Sequence, residues 1–203
     1  ERHKGKSKLF QSSETDLPKD RREALRLIYQ LNPVVAECLF ANKVVLVEGD
    51  TEFAALTKAL EQANQPTDTL NVHIIECGGK GSLPAIQRVL RAFGKRYVVV
   101  HDLDTHFSDP KHNKVQWREN ETIWDELEQA RKANLDVVGF VFVPDFEGAH
   151  NYVAQKPKLY NAMKMVEETK AGGTFEATQL HRLVTVIDAW ASPHNSIDDL
   201  KKL

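Results

Sequence analysis

Three pairs of acidic residues in this sequence each follow a short apolar segment. The pairs are Glu48 and Glu52, Asp102 and Asp104, and Asp145 and Glu147. Six carboxylates gathered in one place would repel one another, so such a group favours a bound cation. Ligands that are all oxygen suit hard divalent ions such as Mg²⁺ or Mn²⁺. Six of them are enough for two ions, an arrangement that suits in-line displacement at phosphorus.

The apolar segments before these acids predict the strands that must position them. Residues 44–47, 97–101 and 137–143 are rich in β-branched residues, as is a fourth segment at 72–75, and helical patterns separate the four. This alternation predicts an α/β fold in which a mostly parallel four-stranded sheet is flanked by helices, over residues 43–150. Parallel strands end at one edge of a sheet, so we expect the acids to meet there. Thr51 is suited to cap the helix that follows Glu48.

The two ends of the chain are predicted to be mainly helical. Residues 1–42 combine a polar linker with helical segments, and residues 151–203 carry an amphipathic stripe at 180–190. We expect both ends to pack together as a small helical subdomain. The stripe at 180–190 suits either a core or a homodimer interface. The polar segment from Thr105 to Asn120 predicts a loop.

The amino-acid composition limits the binding partners and the cellular location that we expect for this protein. Lys and Arg total 27 against 29 Asp and Glu, a net charge of −2, so any nucleic-acid site must be a local patch. If DNA binds, it would approach over the basic groups at 88–96 and 111–118. The two cysteines stand in different contexts, which fits a reducing, cytoplasmic location. No apolar run is long enough to span a membrane, so we expect no membrane partner. A first residue other than Met predicts a fragment of a longer protein.

Two other sites are compatible with the sequence. The glycine-rich segment at 77–82 lacks the Walker spacing, so it predicts either a strand-to-helix turn or a loop in which Lys80 touches a phosphate. A zinc site would use His101, His106 and His112 with a fourth ligand such as Cys77, but their irregular spacing disfavours it.

The acid motifs resemble those of a known domain. Val-Glu-Gly-Asp-Thr-Glu at 47–52, followed by Asp-Leu-Asp at 102–104, resembles the Toprim domain shared by topoisomerases, primases and small nucleases. The longer Leu-Val-Glu-Gly-Asp-Thr-Glu, with Leu-Asn-Pro at 31–33 and Leu-Phe-Ala at 39–41, is similar to the carboxy-terminal region of OLD-family (overcoming lysogenisation defect) nucleases. Lys156-Pro157 followed by Ala162 resembles the tail of that family.

This resemblance implies a metal-dependent nuclease that nicks or cuts DNA, fused behind an ABC-type ATPase domain. It implies that Glu48, Asp102 and Lys156 act in catalysis, with Lys158 or Lys80 as other candidates for the lysine. The implied metal ligands for two Mg²⁺ or Mn²⁺ ions are Glu48, Glu52, Asp102, Asp104, Asp145 and Glu147.

Two different functions stay open at this point. Asp102 and Asp104 also resemble the motif of a haloacid-dehalogenase-like phosphatase, although His106 stands where that motif has Thr or Val. The chain could instead be a non-catalytic module that binds a metal or a partner through its helical ends.

Overall fold

A four-stranded parallel sheet forms the centre of the protein. The computed structural model describes residues 2–3, 6–7, 41–104, 114–153 and 155–203. The central strands are β3 (Lys43–Val47), β4 (Val72–Glu76), β5 (Tyr97–Asp102) and β6 (Val137–Phe142), in the spatial order β4-β3-β5-β6. All neighbouring pairs in this sheet are parallel, which confirms the predicted α/β fold. Two short strands, β1 (Arg2–His3) and β2 (Lys6–Ser7), pair separately and antiparallel.

Helices cover both faces of the sheet. They are α1 (Asp50–Gln62), α2 (Thr67–Leu70), α3 (Leu83–Ala92), α4 (Lys114–Lys132), α5 (Phe146–Ala149), α6 (Lys158–Ala171), α7 (Gln179–Ala189) and α8 (Ile197–Leu200), with short 3₁₀ turns at Lys80–Ser82 and Phe175–Ala177. None of the helices within the described ranges is long and apolar enough to cross a membrane.

Two apolar cores result, one on each face. The first joins the sheet to α1, α6 and α7, with Leu56, Val166 and Ile187 fully buried. The second joins it to α3, α4 and α8, and its largest buried side chain is Trp124. Strands covered on both faces must be apolar along their whole length, which explains the continuous Val-rich runs.

Three expectations about the helices can be compared with the fold. The predicted loop from Thr105 to Asn120 is wrong in its last part, because α4 begins at Lys114. Trp117 and Asn120 lie one helical turn apart and both are buried, so tertiary packing outweighs the weak apolar periodicity there. The stripe at 180–190 packs into the core. The predicted helices before residue 41 lie outside the described residues, so their packing stays a prediction.

Candidate active site

Main-chain hydrogen bonds to two carboxylates join three strand ends at one edge of the sheet. Glu48 directly follows β3, and its Oε1 accepts the Asp102 N–H at 2.8 Å. Asp102 ends β5, and its Oδ1 accepts the Phe146 N–H at 3.0 Å, just beyond β6. The second oxygens, Oε2 of Glu48 and Oδ2 of Asp102, accept no hydrogen bond from the described residues. Each of these half-buried acids therefore keeps one oxygen for another partner.

Glu52 belongs to the same edge through the first turn of α1. The N-cap of α1 is Gly49 rather than the predicted Thr51, and Glu52 Oε2 accepts the Gly49 N–H at 3.1 Å, which satisfies one main-chain donor at the start of the helix. Burial raises the pKa of Glu52, and the Glu147 carboxylate raises it further. The first and third acid pairs therefore influence each other electrostatically across the sheet edge.

Asp145 and Glu147 sit at the start of α5, after β6. Asp145 caps α5, with its Oδ1 accepting the Gly148 N–H at 2.6 Å. Position 148 must be glycine for this approach, because a Cβ there would stand 2.8 Å from Pro144 Cγ and 3.1 Å from Asp145 Oδ1. One oxygen of Asp145 thus stabilises the turn that carries Glu147.

Burial and mutual repulsion make the central carboxylates reluctant to ionise. Burial raises the pKa of Glu48 to about 7, opposed by the Asp102 N–H and the Lys80 ammonium. Burial, together with the nearby charges of Glu48, Glu52 and Asp104, raises the pKa of Asp102 to about 9. A cation placed among these groups would favour their ionised forms.

One cation of the protein already lies in this cluster. Lys80 is 7% exposed, and its Nζ lies 2.6 Å from Asp104 Oδ2. The same ammonium donates a hydrogen bond to the main-chain oxygen of Asp102. The glycine-rich segment therefore forms a strand-to-helix turn, and this turn also delivers a lysine to the acids.

The donors at this edge fit a hard divalent ion in their chemistry. They are carboxylates, they are partly desolvated, and two of them retain an oxygen that accepts no hydrogen bond from the part of the chain that the structure describes. As they stand, no three His, Cys, Asp or Glu side chains of the described residues are grouped closely enough to hold an ion. Oxygens of Glu48, Glu52, Asp102 and Asp145 are committed to main-chain N–H groups, and Asp104 is committed to Lys80.

The buried residue His101 contacts the main chain of Asp102. It is 1% exposed, its Nδ1 lies 2.8 Å from the Asp102 main-chain oxygen, and its Nε2 accepts the Trp124 indole N–H at 3.0 Å. Burial lowers its pKa to about 3, so the ring is neutral. Trp124 reaches it because residue 139 is glycine, where a Cβ would stand 2.8 Å from the indole. Both ring nitrogens are thus engaged, which disfavours the zinc alternative; His106 and His112 lie outside the described residues.

The turn after β6 is fixed by Gln179 of α7 and by His150, which follows α5. Gln179 pairs with Val143 like a neighbouring strand, accepting its N–H at 3.1 Å and donating to its oxygen at 2.8 Å. His150 Nδ1 lies 2.7 Å from the Phe146 oxygen, and its Nε2 accepts the Leu180 N–H at 3.1 Å. The motifs gave no signal for either residue, since their partners are up to 36 residues away in the sequence.

Lys156 has no ion pair with the six acids. It is exposed, in the segment before α6, and among the described residues only Lys80 forms an ion pair with one of these acids. Its catalytic role stays a prediction.

The basic groups predicted to face DNA have acidic partners within the protein. Arg88 and Arg91 both pair with Glu126 on α4, at 2.6 and 3.3 Å. Arg96 pairs with Asp136 at 2.7 Å and stacks on Trp190. Residues 95–96 precede β5 and thus lie at the sheet edge opposite the acids. The segment 105–113 is outside the described residues.

Comparison with known proteins identifies the segment that carries the first two acid pairs. Residues 39–104 match the family model described as the Overcoming lysogenization defect protein-like TOPRIM domain. The OLD nuclease of Thermus scotoductus is 29% identical over 118 residues, which are 56% of this chain and 22% of that protein. This chain therefore matches about a fifth of the length of that relative.

A solved structure gives a more distant likeness. The C-terminal region of the Burkholderia pseudomallei OLD protein aligns at a TM-score of 0.35 and 17% identity, over 75% of this chain and 90% of that one. The family resemblance seen in the motifs at 47–52 and 102–104 is confirmed, because both motifs lie within residues 39–104, the part of the chain that matches the OLD-like TOPRIM family model.

Proposed function

We propose that this protein is a metal-dependent DNA endonuclease that hydrolyses phosphodiester bonds. The observation that carries the proposal is the pair of hydrogen bonds from Asp102 N–H to Glu48 and from Phe146 N–H to Asp102. These bonds fix two carboxylates of raised pKa at the edge where three strands end. Toprim domains are generally metal-dependent, and the relative from Thermus scotoductus is named a nuclease.

In this proposal Glu48 and Asp102 hold Mg²⁺ or Mn²⁺ through their free oxygens, with Glu52, Asp104, Asp145 and Glu147 as further candidate ligands. When bound, the ion supplies a water of lowered pKa and charge for the phosphate oxygens. The protein's part is placement. The main-chain N–H groups orient each carboxylate, and His101 and Trp124 keep the end of β5 in position. Lys80 or Lys156 would add positive charge where the phosphorus centre gains negative charge.

The same comparison supports a proposal for the natural partners. We propose DNA as the substrate and an ABC-type ATPase domain as a companion within a longer protein, because this chain matches only 22% of the relative's length.

The test is cleavage of supercoiled plasmid with Mg²⁺, Mn²⁺, Ca²⁺ or EDTA. We expect nicked and linear products with Mg²⁺ or Mn²⁺, and none in EDTA. Glu48→Gln and Asp102→Asn should each lower the rate by about a hundredfold or more, as when a group that acts in the transition state is removed. Asp188→Asn is the matched control, because Asp188 is an exposed acid on α7.

Other outcomes would point to other functions. Cleavage of a small phosphate ester but not of plasmid would favour the phosphatase alternative. Metal binding without cleavage of either substrate would favour a binding module. Cleavage that survives both substitutions would show that the site lies elsewhere.

A further inference from the structure

The start of α6 presents positive charge to the solvent. From position 155 to position 166 the chain contains three lysines and no acid, and the three are Lys156, Lys158 and Lys164. All three side chains are exposed. Lys156 and Lys158 form no ion pair with another described residue. The pair that Lys164 forms with Glu168, at 3.3 Å, is exposed on both sides and contributes little.

Tyr152 connects the start of α6 to the third acid pair. Its main-chain N–H donates to the Glu147 oxygen at 2.9 Å, and its hydroxyl donates to the Lys158 oxygen at 3.0 Å. Its ring packs edge-on against Phe146, with the ring centroids 6.1 Å apart. Phe146 in turn donates its N–H to Asp102. One buried side chain therefore spans the distance from the acid cluster to the first residue of α6.

Helix α6 runs beside α1, and both helices start at the same edge of the sheet. A helix that follows a parallel strand begins at the carboxyl end of that strand, as α1 does after β3 and as α5 and α6 do after β6. Lys58 and Glu167, each in the third turn of its helix, form an ion pair at 2.9 Å. The two helices are therefore parallel and level with each other. The first two turns of α6 consequently lie next to the acids, and its later turns lead away from them.

Exposed apolar side chains accompany the lysines on this part of α6. Tyr160 is 63% exposed, and Leu159 and Met163 are also exposed. Tyr160 and Lys164 are four residues apart, so they lie on the same side of the helix. A solvated aromatic ring beside lysines is typical of surfaces that bind a nucleic-acid strand, because the ring packs against a base while the ammonium groups contact phosphates.

We propose that the first two turns of α6 form a surface that guides a DNA strand to the acid cluster, with Lys158 and Lys164 at phosphates and Tyr160 against a base or sugar. The proposal rests on the proposed function, because it takes DNA as the substrate. The arginines at 88–96 suit this role less well, since they are paired with acids of the protein. Charge also favours DNA over a second copy of this chain, because a two-fold contact centred on Tyr160 would bring lysines of both copies together.

Fluorescence anisotropy in Ca²⁺, with a labelled duplex that carries a single-stranded tail, tests the aromatic contact. Tyr160→Ser should weaken DNA binding about tenfold, because it removes one stacking contact. Tyr160→Phe keeps the ring, so its affinity should stay within about twofold of that of the unmodified protein. Tyr160 is exposed, so both variants should fold, and thermal unfolding checks this.

The salt dependence of binding tests the lysines. The double variant Lys158→Gln/Lys164→Gln should weaken binding at least tenfold at low salt and should lower the slope of log affinity against log salt by about two, since two phosphate contacts are lost. Lys132→Gln is the matched control. Lys132 also forms an exposed pair with a glutamate four residues away, but it lies at the end of α4, away from the acids. Its substitution should leave affinity and slope unchanged.

Plasmid cleavage separates guidance from catalysis. Tyr160→Ser and Lys164→Gln should each raise KM at least threefold and leave kcat within about twofold, because DNA that reaches the acids is still cut. A fall in kcat at unchanged KM would overturn the proposal. Unchanged DNA affinity in both Tyr160→Ser and the double lysine variant would also overturn it. A dimer that Tyr160→Ser dissociates without any change in DNA affinity would assign this face to a second copy and likewise overturn it.

The two proposals fail in different ways. If the unmodified protein binds DNA through this face but cuts none in Mg²⁺ or Mn²⁺, the proposed function fails and the guiding surface stands. If the protein cuts plasmid and the α6 variants bind and cut as the unmodified protein does, the guiding surface fails and the proposed function stands.

Discussion

At the scale of single residues, ionisation of the clustered carboxylates is unfavourable in the folded protein. Asp102 has a pKa of about 9 in the folded protein because it is buried among other carboxylates. An unfolded chain would expose it, and its pKa would return to about 3.9. The folded state then binds a proton more tightly than the unfolded state does. Without a metal, ionisation of Asp102 opposes folding, so its stabilising effect as a neutral acid is greatest at low pH and falls as pH rises toward 9.

Asp102→Asn should therefore stabilise the metal-free protein at neutral pH. Asparagine keeps an oxygen to accept the Phe146 N–H but carries no charge. We expect the free energy of unfolding to rise by about 1 to 3 kcal/mol at pH 8. The gain should become small near pH 4, where the aspartate is protonated in the folded state and about half protonated in the unfolded chain. Thermal unfolding in EDTA at pH 4, 6 and 8 measures it, and the exposed Asp188→Asn is the control. A loss of stability at pH 8 would show that the charge of Asp102 is already compensated.

At the scale of secondary-structure elements, the carboxy-terminal helices stabilise the turn that follows β6. Gln179, the first residue of α7, makes two hydrogen bonds to Val143. His150, after α5, connects Phe146 to Leu180. Because Phe146 N–H is the donor to Asp102, a displacement of α7 would reach the acid cluster through this turn. The helices of residues 151–203 therefore contribute to the site although they carry none of the six acids.

Gln179→Ala should lower both stability and cleavage. Loss of two hydrogen bonds to a half-buried main chain costs about 1 to 2 kcal/mol of unfolding free energy. We expect plasmid cleavage to fall several-fold even at temperatures where the variant is fully folded. Gln129→Ala, at an exposed position of α4, is the matched control. Gln179→Glu keeps the acceptor but loses the donor, so it should have an intermediate stability. Full activity in folded Gln179→Ala would limit the role of this residue to stability.

At the scale of the whole molecule, the sequence predicted those features of the fold that depend on local patterns of residues. Val-rich segments predicted the four strands, and the rule for strand ends placed Glu48, Asp102 and Asp145 at one edge. Contacts between residues that are far apart in the sequence left no signal in the local pattern, as the pairs Lys80 with Asp104 and Gln179 with Val143 show. Weak periodicity concealed the start of α4, because the burial of Trp117 and Asn120 depends on the sheet beneath them.

The charge of the whole molecule also predicts how DNA binds. The net charge is −2, and Arg88, Arg91 and Arg96 are paired with Glu126 and Asp136. In EDTA the acid cluster would repel phosphates, so we expect weak DNA binding that Ca²⁺ strengthens at least tenfold, because a bound divalent ion offsets part of the local negative charge and can itself contact a phosphate.

Fluorescence anisotropy with a labelled duplex, in EDTA and in Ca²⁺ at several salt concentrations, measures this dependence. Glu48→Gln should bind DNA more tightly than the unmodified protein in EDTA, because it removes one negative charge, and should gain less from Ca²⁺. Affinity should fall steeply as salt rises, since the contacts would be mainly to phosphates. Equal affinity in EDTA and Ca²⁺ would instead place the DNA-binding surface away from the acids, and Glu48→Gln would then leave binding unchanged in both conditions.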